Sequence, residues 1–573
     1  MREIVTVQVG NFANFIGSHF WNFQDELLGL ADDPGSDTVF KNYNQYLNMD
    51  VFYRNGETQQ GIPTYTPRLI SIGSQGSLGS MSSDGTLYNE GTSAQSEITT
   101  WTGKVSSSPS EPHKKNLFLQ RLYEEELKNL SLSEIKKLDS TGEGKIQDGD
   151  IVESLENGVQ YWTDFSKVHY HPQSLYEVCG LWMDTVEFDN YGAGKDIFST
   201  NLRGEDISER LRFFVEECDH IQGFQFIVDD SGGFSALGAD FLETIADEYT
   251  NTPVLLYSAR GPGSHTNPKS LKQTISTNVH DAVSFSRLSS FSKLIVPIGV
   301  PFLSRSKASV NLCIKDEKPY HCSSVYAAAL HSISLPFRMN PIQPTADSSC
   351  VSGAMNLYEL VQMLVGQDRQ NTATILDVAM PAPHLSGKQV EQSLLGKLQP
   401  LIPEIAEVED LLAVESMTVH GALWSGDRPA SISEVRDTIN EAYEHALSRP
   451  KFCHLSTALC PLPIPLPFPS IFRNIIGQHG ELLSSPIPGS SCRGSLDVHS
   501  IPMAARLRSS SAILPFLEKR LLNIRKYGID RGAGAELLRD WGFGKEEVEE
   551  IEENLHKMVS TLDQRYQDSS DSD

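Results

Sequence analysis

The apolar positions at the start of the chain change period within a few residues. Ile4 to Val9 form a short apolar strand, Gly10 and Asn11 interrupt it, and Phe15, Ile16, Phe20, Phe23 and Leu27 then recur at near-helical spacing. This pattern predicts a strand, a glycine turn and a helix. Such a unit packs helix on sheet in many α/β folds. It also serves as a phosphate cradle, because backbone N–H groups at a helix N-terminus point at an anion. Further on, TYTPRLISI (64–72) reads as extended and leads into the Gly/Ser-rich stretch Ser71 to Ser83, expected as a loop. The charged stretch 104–156 contains NLFLQRLYEEELKNLSLSEIKKL, with helical periodicity, an expected capping box at Ser131 and Glu134, and then a polar turn with Gly142, Gly144 and Gly149. Glu209 to Glu217 predicts a helix and Gly223 to Val228 a strand. A second glycine turn follows, then a helix over Phe234 to Tyr249 and a strand over Val254 to Tyr257. That alternation predicts a parallel sheet with helices on both faces and the two glycine turns at its carboxyl edge.

A second region begins near Ser348, with a helix over Met355 to Val365 and strands over Ala373 to Val378 and Thr418 to Trp424. Ser431 and Glu434 form a capping box for a helix running to about Leu447. Proline at every other position from Pro461 to Pro469 predicts an extended polyproline II segment over Cys460 to Ser470, a rigid connection between elements in preference to a ligand for an SH3-like partner. Two C-terminal helices, Ser510 to Lys526 and Glu546 to Arg565, precede the acidic end DSSDSD. The expected division is 1–103, a charged helical insertion at 104–156, 157–347, a second domain at 348–509, and C-terminal helices with an acidic tail at 510–573.

Composition narrows the function classes. A net charge of -27 over 573 residues argues against a surface that wraps nucleic acid and suits solubility or attraction to a basic partner. The eight cysteines include no CxxC pair, which reads as free thiols in a reducing compartment. His169, His171 and the Cys453–His454 pair lack a second ligand pair at zinc spacing, so no metal site is expected. The longest clean apolar run, Leu294 to Leu303, contains two prolines and falls short of the about 20 residues that a membrane-spanning helix needs, leaving peripheral membrane association.

The opening string resembles the start of the tubulins, with Gln8, Gly10, Asn14, Gly17, Phe20 and Trp21 on the pattern MREIV-x-x-Q-x-G-x-x-x-N-x-I-G-x-x-F-W. The likeness continues in GVQYWTDFSKVHYHPQ (158–173), HIQGFQFIVDDSGGFSALG (220–238), YHCSSVYAAALHSISLPFR (320–338), GALWSGDRPASISEV (421–435) and LRDWGFGKEEVEEIEENL (538–555). Insertions near 104–156, 340–354 and 475–500 interrupt it, and with them the chain most resembles the Misato family of tubulin-like proteins. The resemblance implies a doubly wound parallel-sheet N-terminal domain, a smaller α/β second domain and a C-terminal helical hairpin.

The same resemblance implies a vestigial nucleotide site at Gln8, Gly10, Asn11, Asn14, Gly232 and Gly233. Ser231 to Leu237 stand on the tubulin phosphate loop Gly-Gly-Gly-Thr-Gly-Ser-Gly with two of its glycines, and Phe234 replaces the threonine. Asn11 and Phe12 stand for Gln and Cys, and Gly73, Ser74 and Gln75 for an acidic Asp-Leu-Glu. The acidic positions of the catalytic loop become Tyr358 and Val361, with Glu359 between them, and the stretch Pro297 to Val300 stands for the base-stacking helix. No catalytic residue, metal or cofactor is expected, residual GTP binding being the most that remains. The implied role is a non-enzymatic pseudo-GTPase in mitochondrial distribution and morphology, at the cytosolic or outer mitochondrial surface. The alternatives are a factor that meets tubulin or the cytosolic chaperonin in microtubule or spindle assembly, or an active tubulin-like GTPase. The lengthened loop Pro341 to Ala354 predicts a monomer or small complex, with partners meeting the inserted helix Asn116 to Leu138.

Overall fold

Strand β1 (Glu3–Val9) is buried along its whole length because both of its faces are covered. The computed structural model describes residues 2–41, 46–57, 63–82, 113–131, 146–182, 188–195, 197–198, 203–262, 270–340, 351–366, 370–385, 394–406, 409–446, 449–529 and 532–563. β1 is followed by α1 (Asn11–Asp32). The other strands of its sheet are β2 (Leu69–Gln75), β3 (Leu175–Trp182), β4 (Ile221–Asp229), β5 (Val254–Ala259) and β6 (Leu294–Ile298). The order is β3-β2-β1-β4-β5-β6, and every pair is parallel. This is a doubly wound sheet whose strand order reverses between β1 and β4, the place where such folds open a ligand crevice.

The inserted stretch supplies α2 (Leu117–Ser131) and α3 (Asp148–Gly158), and the crossovers supply α4 (Arg203–Glu216), α5 (Gly233–Glu248) and α6 (Leu271–Phe291). α7 (Pro319–Arg338) is almost wholly buried and packs along α1. Ile4 joins the core on the α1 and α7 side, while Val5, Val7 and Val9 join α5, α6 and the C-terminal helices on the other. Alternation along one strand thus assigns its residues to two layers. α3 is pinned to α7 by Glu156, which accepts from the backbone N–H of Ser470 at 2.6 Å and lies 3.0 Å from His321 Nε2.

The second sheet comprises β7 (Val351–Ser352), β8 (Ile375–Ala379), β9 (Gln399–Pro400), β10 (Val414–His420), β11 (Phe452–Ala458) and β12 (Met503–Ser509), in the order β9-β8-β12-β10-β11-β7. It is mixed: β10 and β11 run parallel and the other pairs antiparallel. α8 (Leu357–Val365) and α9 (Ile432–Glu444) both begin with capping boxes, Asn356 with Glu359 and Ser431 with Glu434. α10 (Leu514–Asn523) packs against α12 (Lys545–Leu562), and a short helix, α11 (Ala533–Asp540), comes between them in the chain.

Several expectations change. Ser71 to Gln75 belong to β2 and are not a loop, because small polar side chains fit between the two covering layers; the turn begins at Gly76. Pro297 and Ile298 end a buried strand and are not helical. The proline-rich segment contributes the two-residue strand Leu462–Pro463, paired with Ser500–Ile501, and buries Leu462, Ile464, Phe468 and Ile471, so it is built into the core rather than offered as a ligand. Glu134, the second residue of the cap expected with Ser131, the turn at Gly142 and Gly144, residues 341–350 and the tail from 564 lie outside the described residues.

Candidate functional site

The turns after β1 and β4 lie side by side at the carboxyl edge, because these strands pair in parallel up to Val9 and Val228. Gly10 caps α1 with a φ of 113°, a left-handed conformation that favours glycine. A Cβ at Gly10 would lie 2.3 Å from Oδ2 of Asp229. That carboxyl group occupies the head of α1: Oδ1 accepts from the backbone N–H of Ala13 at 2.7 Å and Oδ2 from that of Phe12 at 3.0 Å. These donors would otherwise have no partner within the helix. Burial drives the pKa of Asp229 up to about 7; the helix N–H groups of Phe12, Ala13 and Asn11 pull against it and the neighbouring Asp230 reinforces it. Asp230 points elsewhere, pairing with Arg260 at 2.8 Å, and Arg260 also reaches Asp281 at 2.9 Å.

Aromatic rings stand beside both turns. Phe12 is buried, meets Tyr326 of α7 edge-on at 6.1 Å between centroids, and lies close to Gly261. The Tyr326 hydroxyl accepts from the backbone N–H of Val300 at 2.9 Å. At the second turn, a Cβ at Gly232 would lie 2.7 Å from the carbonyl oxygen of Phe188, and one at Gly233 2.3 Å from its ring. The Phe188 ring packs edge-on against Phe234 at 4.8 Å. Both glycines therefore admit a neighbouring stretch of chain at close range.

The structure brings Gly10, Asn11 and Asn14 to the head of α1, with Gly232 and Gly233 on the adjoining turn. Asn11 ties α1 to the end of β2 through Ser74: its Nδ2 donates to Ser74 Oγ at 3.3 Å, and its Oδ1 accepts from the Ser74 backbone at 3.4 Å. Asn14 donates to the Ile72 carbonyl at 3.2 Å and accepts from Ser71 Oγ at 2.9 Å. Gln8 is buried within the β1–α1 packing, against Gly17 and away from the turn. Tyr358 is exposed on α8, Val361 is buried, and Glu359 accepts from the Asn356 backbone at 3.0 Å, so its carboxylate serves the helix start. Sequence reasoning missed Asp229. Its only signal is an acid as the last residue of a buried strand, directly before a glycine turn.

Among the described residues no group of three or more His, Cys, Asp or Glu side chains is arranged to hold a metal ion, and no helix is long and apolar enough to cross a membrane.

Comparison with known proteins follows the same architecture. Residues 2–124 match the Misato Segment II tubulin-like domain and residues 153–339 a tubulin domain, together more than half of the chain. The chain is 29% identical to mouse protein misato homolog 1 and 27% identical to the human protein of that name, covering 97% of both chains in each comparison. It is 26% identical to protein DML1 of Gibberella zeae over 78% of this chain and 84% of the fungal one. A six-stranded parallel sheet with a glycine turn at the head of α1, matches to both domain models, and near-full-length likeness to misato homologues establish that this chain belongs to the Misato family of tubulin-like proteins.

Proposed function

We propose that this protein is a non-enzymatic pseudo-GTPase scaffold that serves mitochondrial distribution and morphology from the cytosol and the outer mitochondrial surface. The observation that carries the non-enzymatic part is the filled carboxyl edge. Asp229 occupies the head of α1, while Phe12, Phe188 and Phe234 take the volume beside the two glycine turns. Hydrolysis also needs an acid aimed at a neighbour's nucleotide, and the one acid of that stretch, Glu359, is bound into its own helix cap. Residues 8, 10, 11, 14, 232 and 233 are on this reading the remnant of a nucleotide site, with no cofactor or metal retained. The partners are proteins: mitochondrial outer-membrane proteins first, meeting the insertion that carries α2 and α3, which stands on the core through Glu156.

The test is capture of partners from cell lysate on the full-length chain, with and without GTP and magnesium. The proposal expects outer-membrane proteins in the captured set, unchanged by nucleotide. Capture of tubulin or chaperonin subunits in their place would favour a role in microtubule assembly, and a captured set that changes with GTP would overturn the pseudo-GTPase reading.

A further inference from the structure

We infer that Asp229 is a built-in plug of the α1 cradle: its carboxyl group occupies the position an external phosphate would take and, together with the aromatic rings of this edge, keeps phosphate off the two helix N–H groups. The inference deepens the pseudo-GTPase reading and rests on it.

Three observations converge. The head of α1 is two-handed, with the N–H groups of Phe12 and Ala13 each given to a different oxygen of the same carboxyl group. A helix N-terminus takes carboxylate and phosphate oxygens by the same means, donated N–H groups and a favourable dipole. Second, the space is real: Gly10 has no side chain, and the volume over its Cα is where Asp229 stands, closer than any Cβ would allow. Third, among the described residues no cation stands among the partners of this carboxyl group. Arg260, the guanidinium of this edge, is engaged by Asp230 and Asp281, so the α1 backbone is the main compensation for a carboxyl group that is only 8% exposed. An ordinary surface cap would not be buried opposite a glycine and beside a second acid.

The remaining features of the turn support a cradle that is closed rather than dismantled. Gly10 keeps its left-handed conformation, and Asn11 and Asn14 still tie α1 to β2. Removal of this carboxyl group therefore frees two aligned donors at the head of α1.

The test is calorimetric titration of inorganic pyrophosphate into full-length wild type, Asp229→Gly and Asp229→Ala at low salt, with near-ultraviolet circular dichroism to confirm native packing. The expected result is no saturable binding by wild type at millimolar pyrophosphate and at least tenfold tighter binding by the variants. Natively packed variants that bind no tighter than wild type would overturn the inference and leave the pseudo-GTPase reading standing. Wild type that binds as tightly as the variants would overturn both. Should neither variant fold, amide exchange in wild type decides. Slow exchange at Phe12 and Ala13 without any added anion supports the internal plug, and exchange at solvent-exposed rates overturns it.

Discussion

Asp229 and Asp377 are both buried acids that end or occupy a strand, and they are compensated in opposite ways. Asp377, on β8, faces two guanidinium groups of β12: Arg506 Nη2 lies 2.6 Å from Oδ2 and Arg508 Nε 3.2 Å from the same oxygen. Arg506 continues to Glu415 of β10 at 3.2 Å, and the Tyr443 hydroxyl of α9 donates to Glu415 as well. Asp229 has backbone N–H groups instead of cations. Burial works to raise both pKa values. The two arginines outweigh it at Asp377 and hold its pKa below the usual carboxylate range, whereas the N–H groups do not outweigh it at Asp229. Full charges hold an acid ionised in a dry interior, and partial charges at a helix end leave it near neutrality. The second sheet thus uses its acid as a structural fastener, and the first sheet keeps an acid that its fold tolerates at the edge.

The largest expected effect is at the fastener. Asp377→Asn leaves Arg506 and Arg508 without their shared carboxylate and should lower unfolding free energy at neutral pH by about 3–5 kcal/mol, measured by urea denaturation. A loss below 1 kcal/mol would mean that Glu415 alone can hold the arginines, and the contrast would fail.

The pH dependence separates the two acids by sign. A pKa raised from 3.8 to about 7 gives stability that is complete below about pH 4 and is lost as pH rises through 7. A lowered pKa gives stability that is present above the unfolded value and is lost as pH falls through the folded one. Relative to wild type, Asp229→Asn should therefore gain on the order of 2 kcal/mol between about pH 5 and pH 7. The deficit of Asp377→Asn should shrink only in acid. Parallel slopes for the two variants would show that the helix head holds its acid as firmly as two arginines do.

Buried histidines set the background slope. Burial lowers the pKa of His420 from 6.5 to about 4 and that of His19 to about 3, and burial holds His331 well below its ordinary value. All three lie between α1, α7 and β10: His331 bonds to Gln24 at 2.9 Å and His420 to Ser332 at 2.9 Å. Neutral histidine is favoured in the fold, so stability is full above 6.5 and falls with pH below it. His420→Gln should remove about 1–2 kcal/mol of the loss between about pH 6.5 and pH 5. An unchanged slope in that variant would assign the acid sensitivity elsewhere. The smallest effect is expected at Glu359→Gln, about 0.3 kcal/mol by denaturation, because an exposed capping-box amide still accepts the Asn356 N–H. A loss above 1 kcal/mol would give Glu359 a role beyond its cap.

The contrast also marks what the sequence discloses. The parallel sheet was legible because buried strands and amphipathic helices alternate with glycine turns, and each of those signals is local. Glu359 was legible as an acid between two lost acids, but its cap with Asn356 was not read, although the spacing of three signals it. Ser71 to Gln75 were misread because glycine and serine between two covering layers resemble a loop in composition. The proline-rich segment was legible as a rigid connection, but its burial was not, because that comes from strand partners at Ser500 and Ile501. Asp229 was opaque for the same reason on a larger scale. Its partners at Phe12 and Ala13 are backbone groups more than two hundred residues away, and no side-chain pattern announces a backbone ligand.

The central claim is that the edge where a tubulin-like fold would hold nucleotide is closed by this chain's own side chains. Phosphate release from GTP and magnesium by the purified full-length protein tests it most directly. The account predicts release at the rate of buffer alone, with no saturation as GTP is raised. Magnesium-dependent release that saturates with GTP and scales with protein concentration would contradict it.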